Sequence, residues 1–208
     1  MAKAVLHGIF ASGPTYKVGL ALSVLGIPYS YKHVDLRQGA HKKPEFIALN
    51  RYGQVPALEI DGMTLCQSAA ILQYLAEKAG KMAGANALER QRVREWLYWD
   101  FDRLSGNIYL PRAFHRGFAK VDQAVIDHRV GNGKLALDVL EGELKKGDWL
   151  VGAGPTVADL AVYGVVCYAG EAKYDLSGYP ALKAWMARVE KLPGWKAYTD
   201  LLPQQDAA

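Results

Sequence analysis

Hydrophobic spacing changes character once along this sequence, near residue 85, and that change limits the fold to two unlike parts. Before it, strand and helix patterns alternate. KAVLHGIF, residues 3–10, reads as a buried strand. In TYKVGLALSVLG, Val18, Ala21, Leu22 and Leu25 stand at i, i+3, i+4 and i+7, one face of a helix that Gly26 closes and Pro28 follows. YSYKHV is a short second strand. PALEI and MTL, joined by Asp61-Gly62, read as a hairpin with a tight turn. SAAILQYLAEKAG is a second helix, with Ser68, Ile71, Leu72 and Leu75 on one face. The predicted order is strand, helix, strand, loop, strand, strand, helix.

Beyond residue 85 no strand reads convincingly. Val93, Trp96, Leu97, Phe101 and Leu104 keep helical spacing, with Trp96 and Phe101 on the apolar face. Leu137, Leu140 and Leu144 do the same. PTVADLAVYGVVCY and PALKAWMARVEKL are two further helices, the last with Leu182, Trp185, Met186 and Val189 on its face. Thr156 is placed to cap the first of these, and Asp159, three residues on, to close a capping box. The small-residue stretch around EKAGKMAGANALER separates the two parts. The prediction is α/β plus all-α: an N-terminal α/β domain over 1–80, a linker over 81–87 and an all-helical C-terminal domain over 88–208.

The 208 residues suit one large domain or two small ones. With 50% apolar and 22% charged residues the core needs no covalent staples. The net charge of +4 comes from basic residues interspersed with acidic ones. Without a long basic run a nucleic-acid role is disfavoured, and an anionic small substrate suits the balance. No stretch approaches the ~18 apolar residues of a membrane span. MAKAVLHGIF is too quickly interrupted for a signal peptide. Cys66 and Cys167 form no CxxC and read as buried thiols in a reduced, cytoplasmic setting. No His/Cys spacing suggests a metal.

The first strand-to-helix turn, FASGPTYKV, carries the first chemical signal. Gly8 and Gly13 are spaced as in a phosphate-binding loop, but Pro14 stands where the lysine is needed. SGPTYK instead looks like the thioredoxin active-site turn, with Ser12 and Thr15 in place of both cysteines. Without thiols this turn cannot exchange disulfides. It keeps a hydroxyl at a helix N-terminus, where unpaired N–H groups and the helix dipole favour a negative charge. A thiolate brought in from elsewhere is such a charge. Further on, Pro56 heads a strand pattern although it cannot donate to a ladder.

With SGPTYK in frame, RQGAHKKPEFIALNRYGQVPAL and QSAAILQYL make the whole chain resemble a glutathione transferase, and within that family the serine-type phi and theta classes. The resemblance implies a thioredoxin-like N-terminal domain, with a mixed four-stranded sheet, and a helical domain carrying the second-substrate site. It implies a cis Val55-Pro56 bond, Val55 presenting its N–H and C=O to the cysteinyl part of glutathione, and Gln54 steadying that turn. His41 and Lys42 match the residues that hold the glycine carboxylate, though a solvated basic loop would look the same. Gln67 and Ser68 match the pair that binds the γ-glutamyl end. Gln67 departs from the Glu usual in phi and theta enzymes and resembles the mu and sigma classes. Ser12 matches the catalytic serine, which donates to the sulfur; a plain N-cap is its structural alternative, and Thr15 and Tyr16 are neighbours of suitable chemistry. His7 stands where another branch of the family carries its tyrosine.

The implied activity is addition of glutathione thiolate to a small apolar electrophile, by a cytoplasmic homodimer engaged in detoxification, with glutathione as co-substrate and no metal. The second substrate is expected between the domains. Tyr98, Trp99, Tyr109, Arg112 and His115 are candidates to line that site or a subunit interface, core packing being the competing fate. A carrier or assembly protein of the same fold, or another glutathione-dependent enzyme such as a peroxidase, dehalogenase, isomerase or ether-cleaving enzyme, fits the same residues. A glutaredoxin-like reductase would need a thiol, for which Cys66 is the candidate.

Overall fold

The computed structural model describes residues 4–118 and 120–207. The chain forms two compact units, one running to Lys81 and resuming at Leu192, the other spanning Met82–Lys191. The first holds a four-stranded sheet, in the order β2 (Tyr29–His33), β1 (Ala4–Gly8), β3 (Ala57–Ile60), β4 (Met63–Cys66). β1 and β2 are parallel, and β3 is antiparallel to both β1 and β4, the mixed sheet expected. Alternation sets the faces: Leu6 and Leu58 are cross-strand partners, and both are fully buried.

Two helices build the core against this sheet. In α1 (Gly13–Leu25), Ser12 is the N-cap, Pro14 lies in the first turn where its missing N–H is harmless, and Gly26 ends the helix at φ 70°. α3 (Ser68–Ala79) packs Ile71, Leu72 and Leu75 inward and ends at Gly80, φ 63°. Each such side chain contributes about 1.5–3 kcal/mol by leaving water. The expected loop between β2 and β3 contains a short helix, α2 (Pro44–Leu49). Pro44 starts it, and Phe46 buries with Val34 and Ala57, so Leu36, Ala40 and Val55 pack around the same cluster.

The second unit is helical: α4 (Ala87–Trp99), a π-helical stretch (Asp100–Ser105), α5 (Gly106–His115), α6 (Gln123–Leu144), α7 (Val157–Val166) and α8 (Pro180–Val189). The capping box forms as expected, with Thr156 Oγ1 and Thr156 N–H both donating to Asp159, at 3.0 and 2.8 Å. One face differs from expectation. Phe101 is 74% exposed, while Asp100, at 2%, holds the inward position between Leu97 and Leu104 and accepts from Ser105 Oγ at 2.8 Å. The next residue turns about 100° further round the helix, so Phe101 faces outward; reading by hydrophobicity picked the wrong neighbour.

The sequence boundary places everything after residue 88 in the helical domain, but the segment from Leu192 belongs to the first unit. It carries α9 (Tyr198–Leu201) and ends with Ala207 paired to Tyr31 on the free edge of β2. None of the described helices is long and apolar enough to cross a membrane.

Candidate active site

Strand directions gather the candidate residues. β1, β2 and β4 end, and β3 begins, at one edge of the sheet, where Gly8 faces His33, and His7, Ala57 and Cys66 form one row. The connections leaving that edge are the turn to Ser12, the loop with His41 and Lys42, the Gln54-Val55-Pro56 turn and the step through Gln67 into Ser68. The fold therefore brings eight positions scattered over some sixty residues to one end of one sheet.

Ser12 N–H donates to the Ile9 carbonyl at 3.1 Å, closing a turn in which Ala11 sits at φ 65°. That left-handed geometry belongs to glycine in ordinary turns. Ser12 Oγ accepts from Thr15 N–H at 3.3 Å. A hydroxyl has two acceptor lone pairs and one proton, so capping leaves the proton to donate. The cap and the thiol-donor readings are compatible, not rivals. Thr15 and Tyr16 are placed differently. Thr15 is fully buried, and Tyr16 is 1% exposed with its hydroxyl donating to the Lys196 carbonyl at 2.8 Å. Ser12 is partly exposed.

The Val55–Pro56 bond is cis. Buried Asn50 staples the turn: its Nδ2 donates to the Gln54 carbonyl at 2.5 Å and the Pro56 carbonyl at 3.4 Å, while its Oδ1 accepts from Tyr52 N–H. Gly53, at φ 59°, lies against the His41 carbonyl, so the His41 loop and the Gln54 turn are in contact. His41 is half-buried, with a buried Nδ1 that has no partner; Lys42 is exposed. Asn50 and Gly53 went unremarked in the sequence, although the Asn-x-x-Gly spacing within NRYGQ marks an Asx-type turn.

Gln67 precedes α3 at φ 68°, ψ 113°, a rare conformation for a side-chain-bearing residue. Its side chain does not cap the helix, and no acidic residue occupies the first turn of α3 or of α1. Two positive helix ends, opened by Ser12 and Ser68, thus start from the same edge without an internal counter-charge. Cys66, next to Gln67, donates its Sγ–H to the Leu49 carbonyl at 3.6 Å, and burial pushes its thiol pKa up, against the opposing pull of Arg51.

The helical candidates fare differently. Tyr109 donates its hydroxyl to the Gly164 carbonyl at 2.8 Å, and burial holds its pKa well above the usual range. Arg112 pairs with Glu171 at 2.9 Å and lies 3.8 Å over the Tyr168 ring. Both are engaged within the second unit. His115, Tyr98 and Phe101 are exposed, and Trp99 is half-buried against Trp96. Among the described residues no group of three or more His, Cys, Asp or Glu is placed to hold a metal ion.

Known proteins resemble this chain over most of its length. Residues 5–77 match the family model for the glutathione S-transferase N-terminal domain, and residues 107–193 that for the C-terminal domain. The disulfide-bond oxidoreductase YfcG of Escherichia coli (strain K12) is 31% identical over 88% of this chain and 89% of its own. The maleylacetoacetate isomerase of Rhizobium meliloti (strain 1021) is 33% identical over 86% and 88%. The crystal structure of a glutathione S-transferase from Xanthobacter autotrophicus Py2 superposes with a TM-score of 0.88 at 33% identity, covering 97% of this chain and 98% of that one.

Proposed function

Given that this chain belongs to the glutathione S-transferase family, we propose that it binds glutathione at the crowded sheet edge, ionises the thiol with Ser12 and adds the thiolate to a small apolar electrophile. The observation that carries this reading is the pair of unneutralised helix N-termini, at Ser12 and Ser68, opening from one edge beside the Val55 turn. Glutathione is anionic at both its carboxylates and, when activated, at sulfur. Ser68 and Gln67 receive the γ-glutamyl end, the Val55 backbone pairs with the cysteinyl amide, and His41, Lys42 and Gln54 serve the other side.

A free thiol has a pKa of about 8.5 and is mostly protonated at neutral pH. One charge-assisted hydrogen bond supplies about 1.5–3 kcal/mol, which lowers that pKa by roughly one to two units at 1.36 kcal/mol each. Ser12 with the α1 terminus is sufficient for the task. The electrophile is held by residues of the helical unit. Exposed apolar side chains on α4, the π-helical stretch and α6, namely Leu88, Tyr98, Phe101, Leu135 and Val139, support a homodimer. A cytoplasmic, detoxifying role completes the proposal.

A second reading follows from the relatives named as an isomerase and as a disulfide-bond oxidoreductase: the same bound thiolate would act on an unsaturated acid or a disulfide. Cys66 is a poor thiolate under its burial, so glutathione supplies the sulfur in this reading too. The decisive experiment is an ultraviolet difference titration of bound glutathione, on wild type and Ser12→Ala. The variant is expected to raise the apparent thiol pKa by about one unit or more and to lower turnover about tenfold, with binding little changed. An unchanged titration would remove Ser12 from its role.

A further inference from the structure

The turn that carries Ser12 is supported by residues from the far end of the chain. Tyr198 packs its ring 5.9 Å from that of Phe10 and 6.2 Å from that of Tyr16. These two residues bracket Ser12, one in the turn before it and one in the first helical turn after it. The segment around Tyr198 is fastened on both sides. Upstream, Tyr16 donates to the Lys196 carbonyl at 2.8 Å, and Ser23 Oγ donates to the Gly194 carbonyl at 2.5 Å. Downstream, Leu201 and Leu202 bury against α1 at Gly19, where a Cβ would stand 3.3 Å from Leu201 Cδ2. Asp206 accepts from His33 N–H and Lys32 Nζ, each at 2.8 Å. Ala207 exchanges both backbone hydrogen bonds with Tyr31, at 2.7 and 3.0 Å.

These fastenings reach beyond the β2 edge to α1 and the turn before it. The turn itself supplies the reason. Ala11, at φ 65°, is held in a conformation that side-chain-bearing residues rarely adopt and that persists only where the surroundings over-determine it. Relaxation of Ala11 would swing the next residue, Ser12, and its hydroxyl. We propose that the segment Gly194–Ala207 is a positioning strap for the Ser12 hydroxyl, with the Tyr198 ring as its working contact. The proposal rests on Ser12 being the thiol donor. The ring is what braces Phe10 and Tyr16.

The test compares Tyr198→Ala, Tyr198→Phe, Tyr16→Phe and Ser12→Ala, using glutathione itself as the probe. Each variant is checked for folding by circular dichroism and then titrated for bound thiolate, with kcat and KM measured on a small aryl halide. For Tyr198→Ala, thiolate at neutral pH and kcat are expected to fall about threefold to tenfold, because a small misplacement of a reacting group is amplified in rate. Its KM for glutathione should stay within about twofold, since ground-state binding is untouched. Tyr198→Phe should titrate as wild type. A strap that is merely structural would lower stability and leave the thiolate titration of the folded protein unmoved. That result, alongside a clear shift in Ser12→Ala, would overturn the proposal. If Ser12→Ala itself titrates as wild type, it is the reading of Ser12 that fails, and the strap loses its stated target. Should Tyr198→Ala not fold, Tyr16→Phe decides: it keeps every ring and removes the tether to Lys196. A smaller shift in the same direction supports the strap, and a wild-type titration overturns it.

Discussion

Replacing Gly8 with alanine tests how the turn that carries Ser12 is built. Gly8 ends β1 with its Cα against the first turn of α1. A Cβ there would lie 2.1 Å from Thr15 Cγ2 and 2.9 Å from Thr15 Oγ1, where carbon atoms in contact stand about 3.5–4.0 Å apart. Thr15 is β-branched, stiff about χ1 and fully buried, so it cannot rotate away. Gly8→Ala must therefore push β1 from α1, an overpacking cost of about 1–3 kcal/mol. At roughly 2–4 °C per kcal/mol for a chain of this size, Tm should fall by about 5 °C. Turnover should fall about tenfold with it, because Thr15 N–H holds Ser12 Oγ. Thr15→Ala removes both clashing atoms, one of them a hydroxyl with no hydrogen-bond partner. The double variant Gly8→Ala/Thr15→Ala should recover at least about 1 kcal/mol of the loss, read as a coupling energy from urea and thermal unfolding of all four proteins. A Gly8→Ala melt within about 1 °C of wild type, or a double variant no more stable than Gly8→Ala, would refute the reasoning.

Two further outcomes concern stability. Asp159→Ala should destabilise the chain by at least about 3 kcal/mol in urea unfolding, since it removes a cap worth about 1 and strands the Trp185 Nε1–H and Leu150 N–H donors at about 1–3 each. Asp159→Asn, which keeps an acceptor for those two, should lose less; equal losses would count against the stranded-donor account. Tyr174, its hydroxyl donating to the Asn107 carbonyl at 2.6 Å, has its pKa pushed up to about 12 by burial. Above pH ~10 the unfolded chain ionises this phenol first and binds fewer protons than the native state, so stability falls as pH rises from ~10 toward 12. Tyr174→Phe should show a shallower fall in Tm over that window, and an identical slope would contradict it.

Much of the site was legible because its signals are local. Ser12 caps the helix it immediately precedes. Thr156 and Asp159 close their box within three residues. The Asp61-Gly62 turn fixes the register of β3 on β4, and the Val-Pro step announces itself. Hydrophobic spacing gave the switch from mixed sheet to helices, since a period of two or of 3.6 reports which face is buried wherever the chain lies. It failed where the buried residue was polar, at Asp100, and where a short helix, α2, offered too few turns to show a period.

What lay beyond the sequence was pairing at a distance. Nothing local in YTDLLPQQD says that Leu201 and Leu202 will bury on Gly19, that Ala207 will join Tyr31, or that Tyr198 will pack on both Phe10 and Tyr16. Those contacts join residues more than 170 positions apart in the sequence. Likewise Tyr109 and Arg112 carry the chemistry of a substrate site, but the carbonyl of Gly164 and the carboxylate of Glu171 engage them first. The sequence by itself determined which elements form, how they are capped and which residues bear reactive groups, because these follow from backbone geometry and spacing within a few residues. Only the tertiary structure decided which of those groups remain available, because burial and hydrogen-bond partners are set by residues far away in the chain.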